Sequence, residues 1–161
     1  MNTKITINFD MDEAWVWLDC DGTWIDLYGV PNWLTKLKNN DPSPYAEAKP
    51  LVNLAVLART IHNLQNNGIK VGIISWLSKD STPEYDEKVR ITKLNYFKKH
   101  LPSVKFDKIN IVPYGTPKST CGFGILFDDE EKNRNDWNGI AYDEKDLIKN
   151  LIKIKQIFGQ K

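Results

Sequence analysis

The chain has 161 residues, of which 41% are hydrophobic and 27% are charged, so it is long enough for one globular domain with a buried core. Its 22 basic and 21 acidic residues give a net charge of +1, which predicts no general attraction to nucleic acid or to anionic membranes. We find no transmembrane run, no signal-peptide pattern and no disulfide framework for the two cysteines, so we expect a cytoplasmic protein.

The hydrophobic pattern predicts strands that alternate with helices along the chain. Short apolar runs that end at polar residues indicate strands, and apolar residues that recur every three or four positions indicate helices. The predicted strands span 16–18 (entered from 14–15), 70–75, 109–112 and 124–127, and the predicted helices span 51–65, 83–100 and 146–158. Strands joined by helices of this length form a mainly parallel sheet. We therefore predict an α/β fold, a Rossmann-like three-layer sandwich that forms a single domain over 1–161.

Two further segments complete the predicted organisation. Prolines mark 24–50 as a short, irregular insertion after the first central strand. An additional strand is predicted at about 4–9, and the turn at 10–13 could fold it back as a hairpin.

Polar side chains stand where the four predicted central strands end. In chain order they are Asp19 and Asp21, then Ser75, then Lys118, and finally Asp128 with Asp129. Ligands of open α/β sheets bind beyond the carboxyl ends of the strands, so we expect these side chains to converge on one edge of the sheet.

This set of side chains has a coherent chemistry. The Asp19 carboxylate could attack phosphorus and form an acyl-phosphate, which splits one displacement into two easier steps. Asp21 could protonate the leaving alcohol and later activate water. The Ser75 hydroxyl and the Lys118 ammonium would hold the phosphoryl oxygens. Clustered carboxylates repel one another, so they are expected to hold a hard cation, Mg²⁺.

The residues at the strand ends resemble the four motifs of the haloacid-dehalogenase-like (HAD) phosphatases. The matching segments, in the order of that family, are Leu18-Asp19-Cys20-Asp21-Gly22-Thr23, Ile73-Ile74-Ser75, Lys118 and Leu126-Phe127-Asp128-Asp129. The resemblance spans nearly the whole chain and implies a HAD-like fold with only a minimal cap, formed by 24–50. It implies that Asp19 is the nucleophile and Asp21 the general acid and base. Ser75 and Lys118 would bind the phosphoryl group.

The same resemblance implies magnesium as the cofactor. Mg²⁺ would bind the carboxylates of Asp19 and Asp128 together with the backbone carbonyl of Asp21. Asp129 would lie close by or act through a water molecule. The partner implied by these roles is a small phosphorylated substrate, and the sequence indicates no particular oligomeric state.

These roles predict a Mg²⁺-dependent phosphomonoester hydrolase that acts through an aspartyl-phosphate. The segment at 128–139 resembles the small 5′(3′)-nucleotidases of this superfamily, so the expected substrate is a nucleotide or another small phosphomonoester. Trp24 and Trp76 flank two of the motifs, and a nucleobase could stack on their rings. We therefore predict that both tryptophans bind substrate.

Several alternatives remain open. The Asp10–Asp12 pair could be the first motif instead of Asp19–Asp21, but it lacks the following glycine whose permissive backbone the turn needs. A phosphatase of a phosphorylated macromolecule end, or a non-catalytic binding domain, could share this fold. A dehalogenase would need neither Asp21 nor a metal. A response-regulator receiver domain would carry its phosphorylated aspartate on the mid-chain strand, which here ends in Ser75.

Overall fold

Parallel strands form the central sheet of this protein. The computed structural model describes residues 14–158, so the predicted strand at 4–9 and the Asp10–Asp12 pair lie outside the described residues. The strands are β1 (Trp15–Leu18), β2 (Ile25–Asp26), β3 (Lys49–Pro50), β4 (Lys70–Trp76), β5 (Lys108–Val112), β6 (Ile125–Phe127) and β7 (Ala141–Tyr142). Five of them form one parallel sheet in the order β5-β4-β1-β6-β7. The predicted α/β, Rossmann-like fold class is confirmed.

Helices connect and flank these strands. They are α1 (Trp33–Lys38), α2 (Ser43–Glu47), α3 (Leu54–Asn66), α4 (Pro83–His100), α5 (Glu131–Asp136) and α6 (Leu147–Phe158). The helix predicted at 51–65 begins only at Leu54, because the Asn53 side chain caps it by accepting a hydrogen bond from the Val56 amide. Among the helices of residues 14–158, none is long and apolar enough to cross a membrane.

Side chains of the central strand β1 alternate between two hydrophobic clusters. Val16 and Leu18 join a cluster that includes buried residues of α3, α4 and α6. Trp17 instead packs with Ile74 of β4 and Leu126 of β6. Successive side chains of a strand point to opposite faces of the sheet. The polar residues that directly follow the strands therefore also lie on one face of the sheet or the other.

The predicted insertion at 24–50 contains regular structure. Its two ends pair as the antiparallel strands β2 and β3, with Ile25 opposite Pro50. The short helices α1 and α2 lie between them, and α1 has no fully buried residue. The apolar side chains of α1 instead line a cavity beside the central sheet.

Candidate functional site

Three carboxylates meet at the carboxyl edge of the central sheet. Asp19 follows β1, and Asp128 and Asp129 follow the adjacent strand β6. One oxygen of each carboxylate lies within 4.8 Å of the others, so the three residues could hold a metal ion. Asp19 and Asp128 are buried, whereas Asp129 is partly exposed. Because like charges this close repel, a cation is expected to stabilise the cluster.

The ammonium group of Lys118 lies between two of these carboxylates. Its Nζ donates to Asp19 Oδ1 at 2.7 Å and to Asp128 Oδ2 at 2.6 Å, and the lysine is 2% exposed. A 3₁₀ turn at Lys118–Thr120 brings the lysine to the site. Burial by itself would lower the pKa of Lys118, but the two carboxylates outweigh burial and hold that pKa above its ordinary value. Lys118 is therefore charged and neutralises part of the cluster.

The turn after β1 depends on Gly22 and Thr23. Gly22 has a φ of +81°, a left-handed conformation, and a Cβ at this position would overlap the Asp129 carboxylate. The Thr23 hydroxyl donates to Asp19 Oδ2 at 2.9 Å and accepts from the Asp129 amide at 3.2 Å. The Gly-Thr pair therefore joins the loop after β1 to the loop after β6.

Asp128 is held by its own loop and by α5. Its Oδ1 accepts from the Glu130 amide at 2.9 Å, and its Oδ2 accepts from Asn133 Nδ2 at 3.2 Å. Asn133, which none of the sequence motifs includes, is buried and lines the cavity that α1 borders. Asn133 lies on α5, shortly after the acidic run at 128–131, and this closeness in sequence to Asp128 was the signal that could have identified it.

Negative charge is only partly neutralised in this cluster. Burial and the Asp19 carboxylate raise the pKa of Asp128 to about 6, and the same two causes raise the pKa of Asp129 to about 8. Both exceed 3.8, the ordinary value for an aspartate. Carboxylate oxygens are the preferred ligands of hard divalent cations such as Mg²⁺. The donor set therefore fits a cation of that kind.

Asp21 also lines the cavity that α1 borders, and it pairs with Lys93, a lysine outside the four sequence motifs. Lys93 Nζ donates to Asp21 Oδ2 at 2.9 Å and to Ser75 Oγ at 2.7 Å, and Lys93 is 3% exposed. The sequence carried a signal for it, because Lys93 falls on the buried face of α4 together with Val89 and Tyr96. Lysines are almost never fully buried unless they are paired.

Ser75 is fully buried, and its Oγ accepts a hydrogen bond from Lys93 Nζ. The register of β1 and β4 pairs Leu18 with Ile73, so two residues further on Ser75 shares a face of the sheet with Cys20. Cys20 is buried as well, and burial raises the pKa of its thiol. Strand alternation turns both side chains away from the carboxylate cluster.

A cavity of about 480 Å³ opens onto the carboxylate cluster. Asp19, Asp21 and Lys118 contribute to its lining. Aromatic side chains line it too, namely Tyr28, Trp33, Tyr45, Trp76, Tyr85 and Tyr114. The cavity therefore joins a charged cluster to an aromatic surface.

The two tryptophans predicted to contact substrate lie in different places. Trp76 lines the cavity, where its Nε1 donates to the Thr116 carbonyl at 2.8 Å. Trp24 is fully buried in the core, with ring centroids 6.0 Å from Tyr96 and 5.8 Å from Phe97. The Trp24 ring therefore packs against α4 in the core, whereas the Trp76 ring lies at the cavity.

Comparison with known proteins assigns no family to this chain. No family model matches it, and no curated protein matches it. Among solved structures, the chain is similar to an uncharacterized protein from Corynebacterium glutamicum ATCC 13032, with a TM-score of 0.43 and 12% sequence identity. That match covers 92% of this chain and 97% of the other. The structure itself shows a parallel α/β sheet with three carboxylates at its carboxyl edge.

Proposed function

We propose that this protein is a Mg²⁺-dependent phosphomonoester hydrolase of the HAD-like type that forms an aspartyl-phosphate on Asp19. The observation that carries the proposal is the convergence of three carboxylates and one ammonium at the carboxyl edge of the sheet, with Asp21 in the same cavity. This arrangement supplies a nucleophile, a place for a cation, a donor for phosphoryl oxygens and a proton donor.

In the first step, an Asp19 carboxylate oxygen bonds to phosphorus while the bond between phosphorus and the leaving oxygen breaks. The leaving oxygen keeps the electron pair of that bond and takes a proton from the Asp21 carboxyl group. Asp21 is suited to carry that proton, because burial raises its pKa despite the nearby Lys93 ammonium.

In the second step, Asp21 accepts a proton from water as the water oxygen bonds to phosphorus and the bond from phosphorus to Asp19 breaks. Phosphate leaves, and both aspartates return to their starting forms. Lys118 holds a phosphoryl oxygen during both steps. A bound Mg²⁺, held by Asp19, Asp128 and Asp129, would supply positive charge that offsets the dianionic substrate.

The direct test is a phosphatase screen of the full chain. Nucleoside monophosphates, sugar phosphates and 5′-phosphorylated oligonucleotides would each be incubated with Mg²⁺ and, separately, with EDTA. We expect phosphate release that requires Mg²⁺. Release from oligonucleotides alone would indicate a phosphatase of macromolecule ends. No release from any substrate would contradict the proposal and favour a binding domain.

Within this function, we expect a nucleoside monophosphate to be preferred over a sugar phosphate. The Trp76 and Tyr114 rings have centroids 4.9 Å apart, and Tyr28 and Trp33 of the insertion form a second aromatic pair at 5.0 Å. A base stacked on an aromatic ring contributes roughly 1–3 kcal/mol, which a sugar phosphate cannot gain. We expect kcat/KM for AMP to exceed that for ribose 5-phosphate by about 10-fold.

Trp76→Ala should remove most of this preference. The expected change is a drop of about 10-fold in kcat/KM for AMP and little change for ribose 5-phosphate. Trp15→Ala is the matched control, since Trp15 lies at the opposite end of β1 from the site. Equal kcat/KM for the two substrates, unaffected by Trp76→Ala, would show that the tryptophan only packs the rim.

We further expect Mg²⁺ to stabilise the fold, and to do so more strongly at pH 8 than at pH 5. The raised pKa values of Asp128 and Asp129 mean that the folded protein without metal binds more protons than the unfolded chain. The stability that the protonated carboxyl groups of Asp128 and Asp129 contribute is complete below the ordinary pKa of 3.8. It is lost as the pH rises through about 6 for Asp128 and about 8 for Asp129. Mg²⁺ then replaces the lost protons as the source of positive charge.

Thermal midpoints in EDTA and in millimolar Mg²⁺, measured from pH 5 to pH 8, check this expectation. Asp128→Asn should reduce the gain from Mg²⁺ at pH 8, whereas Asp136→Asn, in the same region but outside the cluster, should leave it unchanged. Identical midpoints with EDTA and with saturating Mg²⁺ at pH 8 would contradict a magnesium site.

A further inference from the structure

Lys93 is a buried cation whose role the proposed reaction leaves open. It is 3% exposed and lies among the buried side chains Val89, Tyr96 and Phe97 on one face of α4. Burying an unpaired ammonium group is costly, whereas a leucine or methionine would pack at this position without that cost. The lysine is therefore expected to have partners that require its charge.

Three partners surround the ammonium group. Its Nζ donates to Asp21 Oδ2 at 2.9 Å and to Ser75 Oγ at 2.7 Å, and it lies 4.7 Å from the centre of the Tyr45 ring. Ser75 belongs to β4, a strand of the central sheet next to β1. Tyr45 belongs to α2 in the insertion, and its hydroxyl lies 2.6 Å from Ser78 Oγ. Two elements of the fold thus anchor Lys93 at the point where it meets Asp21.

We propose that Lys93 is a positioning residue that fixes the Asp21 carboxyl group for proton transfer at the leaving oxygen, an inference that rests on the proposed function. The ammonium engages Oδ2 of Asp21, which leaves Oδ1 as the oxygen available to the leaving group. In the first step, the proton passes from Oδ1 to the leaving oxygen, and the resulting carboxylate stays paired with Lys93. Lys93 itself neither gains nor loses a proton.

The leaving group distinguishes this role from a purely structural one. An alkyl ester has a poor leaving group that needs protonation, whereas p-nitrophenolate leaves readily without a proton. Misplacing Asp21 would therefore slow hydrolysis of the alkyl ester far more than hydrolysis of p-nitrophenyl phosphate. A lysine that only stabilised the fold would affect the two esters equally.

The experiment measures kcat and KM for Lys93→Met, Lys93→Gln and Lys93→Arg in the full chain with Mg²⁺. The substrates are p-nitrophenyl phosphate and the alkyl ester that the wild type hydrolyses fastest, and rates are corrected for the folded fraction by circular dichroism. For Lys93→Met we expect kcat to fall about 100-fold on the alkyl ester and less than about threefold on the aryl ester, with KM little changed. Lys93→Arg should recover part of the loss, because it restores a cationic donor.

Lys88→Met is the matched control, since Lys88 is an exposed lysine of the same helix and should change neither rate. Equal losses on the two esters, or a fully active Lys93→Met, would overturn the inference and leave the phosphatase proposal standing. Failure of all three Lys93 variants to fold would also overturn it, since Lys93 would then be structural. A wild type that releases no phosphate from either ester would refute the proposed function, and this inference with it.

Discussion

Asp19→Asn is expected to lower kcat for phosphate release by at least about 10³-fold. The amide keeps the shape of the side chain but has no carboxylate oxygen that can form the acyl-phosphate. The substitution relieves repulsion within the cluster but replaces one of two acceptor oxygens, which face Lys118 and Thr23, with a donor, so we expect only a small net change in the stability of the folded protein without metal. Phosphate release under saturating Mg²⁺ and a thermal midpoint in EDTA measure the two effects.

The control for this variant is Asp10→Asn, which alters the other acidic pair of the sequence. We expect it to retain activity, because Gly22 supports the turn after Asp19 and no glycine follows the Asp10–Asp12 pair. If Asp10→Asn were inactive and Asp19→Asn active, the first motif would lie at 10–12 and the proposed nucleophile would be wrong.

Lys118→Met is expected to impair both stability and activity. Removing one partner of a buried ion pair leaves charge uncompensated and typically costs about 3–5 kcal/mol, and here both Asp19 and Asp128 lose the ammonium. Loss of a donor to the phosphoryl group should also lower kcat by about 10²–10³-fold. Chemical denaturation in EDTA and steady-state kinetics with Mg²⁺ measure the two losses.

Added Mg²⁺ should restore part of the stability of Lys118→Met, since the cation can neutralise the same carboxylates. Lys108→Met is the comparison variant, because Lys108 is an exposed lysine on β5 and should change neither stability nor kcat appreciably. A Lys118→Met protein that matched the wild type in both measurements would show that the ion pairs of Lys118 contribute little to stability and that its ammonium is not needed for kcat.

The elements with strong local signals could be predicted from sequence. Helix α4 (Pro83–His100) begins where the capping hydroxyl of Thr82 and the first-turn proline predict its start. Its start is set by residues adjacent in the chain, so no knowledge of packing is needed. In contrast, β7 has only two residues, which is too short for a periodic signal, and it exists because it pairs with β6.

The carboxylate cluster was also predictable, and for a topological reason. Adjacent parallel strands end at the same edge of a sheet. The predicted fold class is therefore sufficient to predict that the polar residues after β1 and β6 lie near one another. Asp19, Asp128 and Lys118 meet there, with Lys118 bridging the two carboxylates. Neither the bridge nor the hydrogen bond from Asn133 to Asp128 follows from strand order alone.

The sequence by itself determined the fold class, the edge of the sheet where the polar residues gather and the acidic residues among them, because strand periodicity and the order of residues along the chain can be read directly from the sequence. Only the tertiary structure decided which side chains at that edge face the cavity. Strand register placed Ser75 on the face opposite the carboxylate cluster, and packing against α4 buried Trp24. The pairing of Lys93 with Asp21 joins residues that are 72 positions apart, and such a contact depends on how a helix packs on a sheet, which no local pattern specifies.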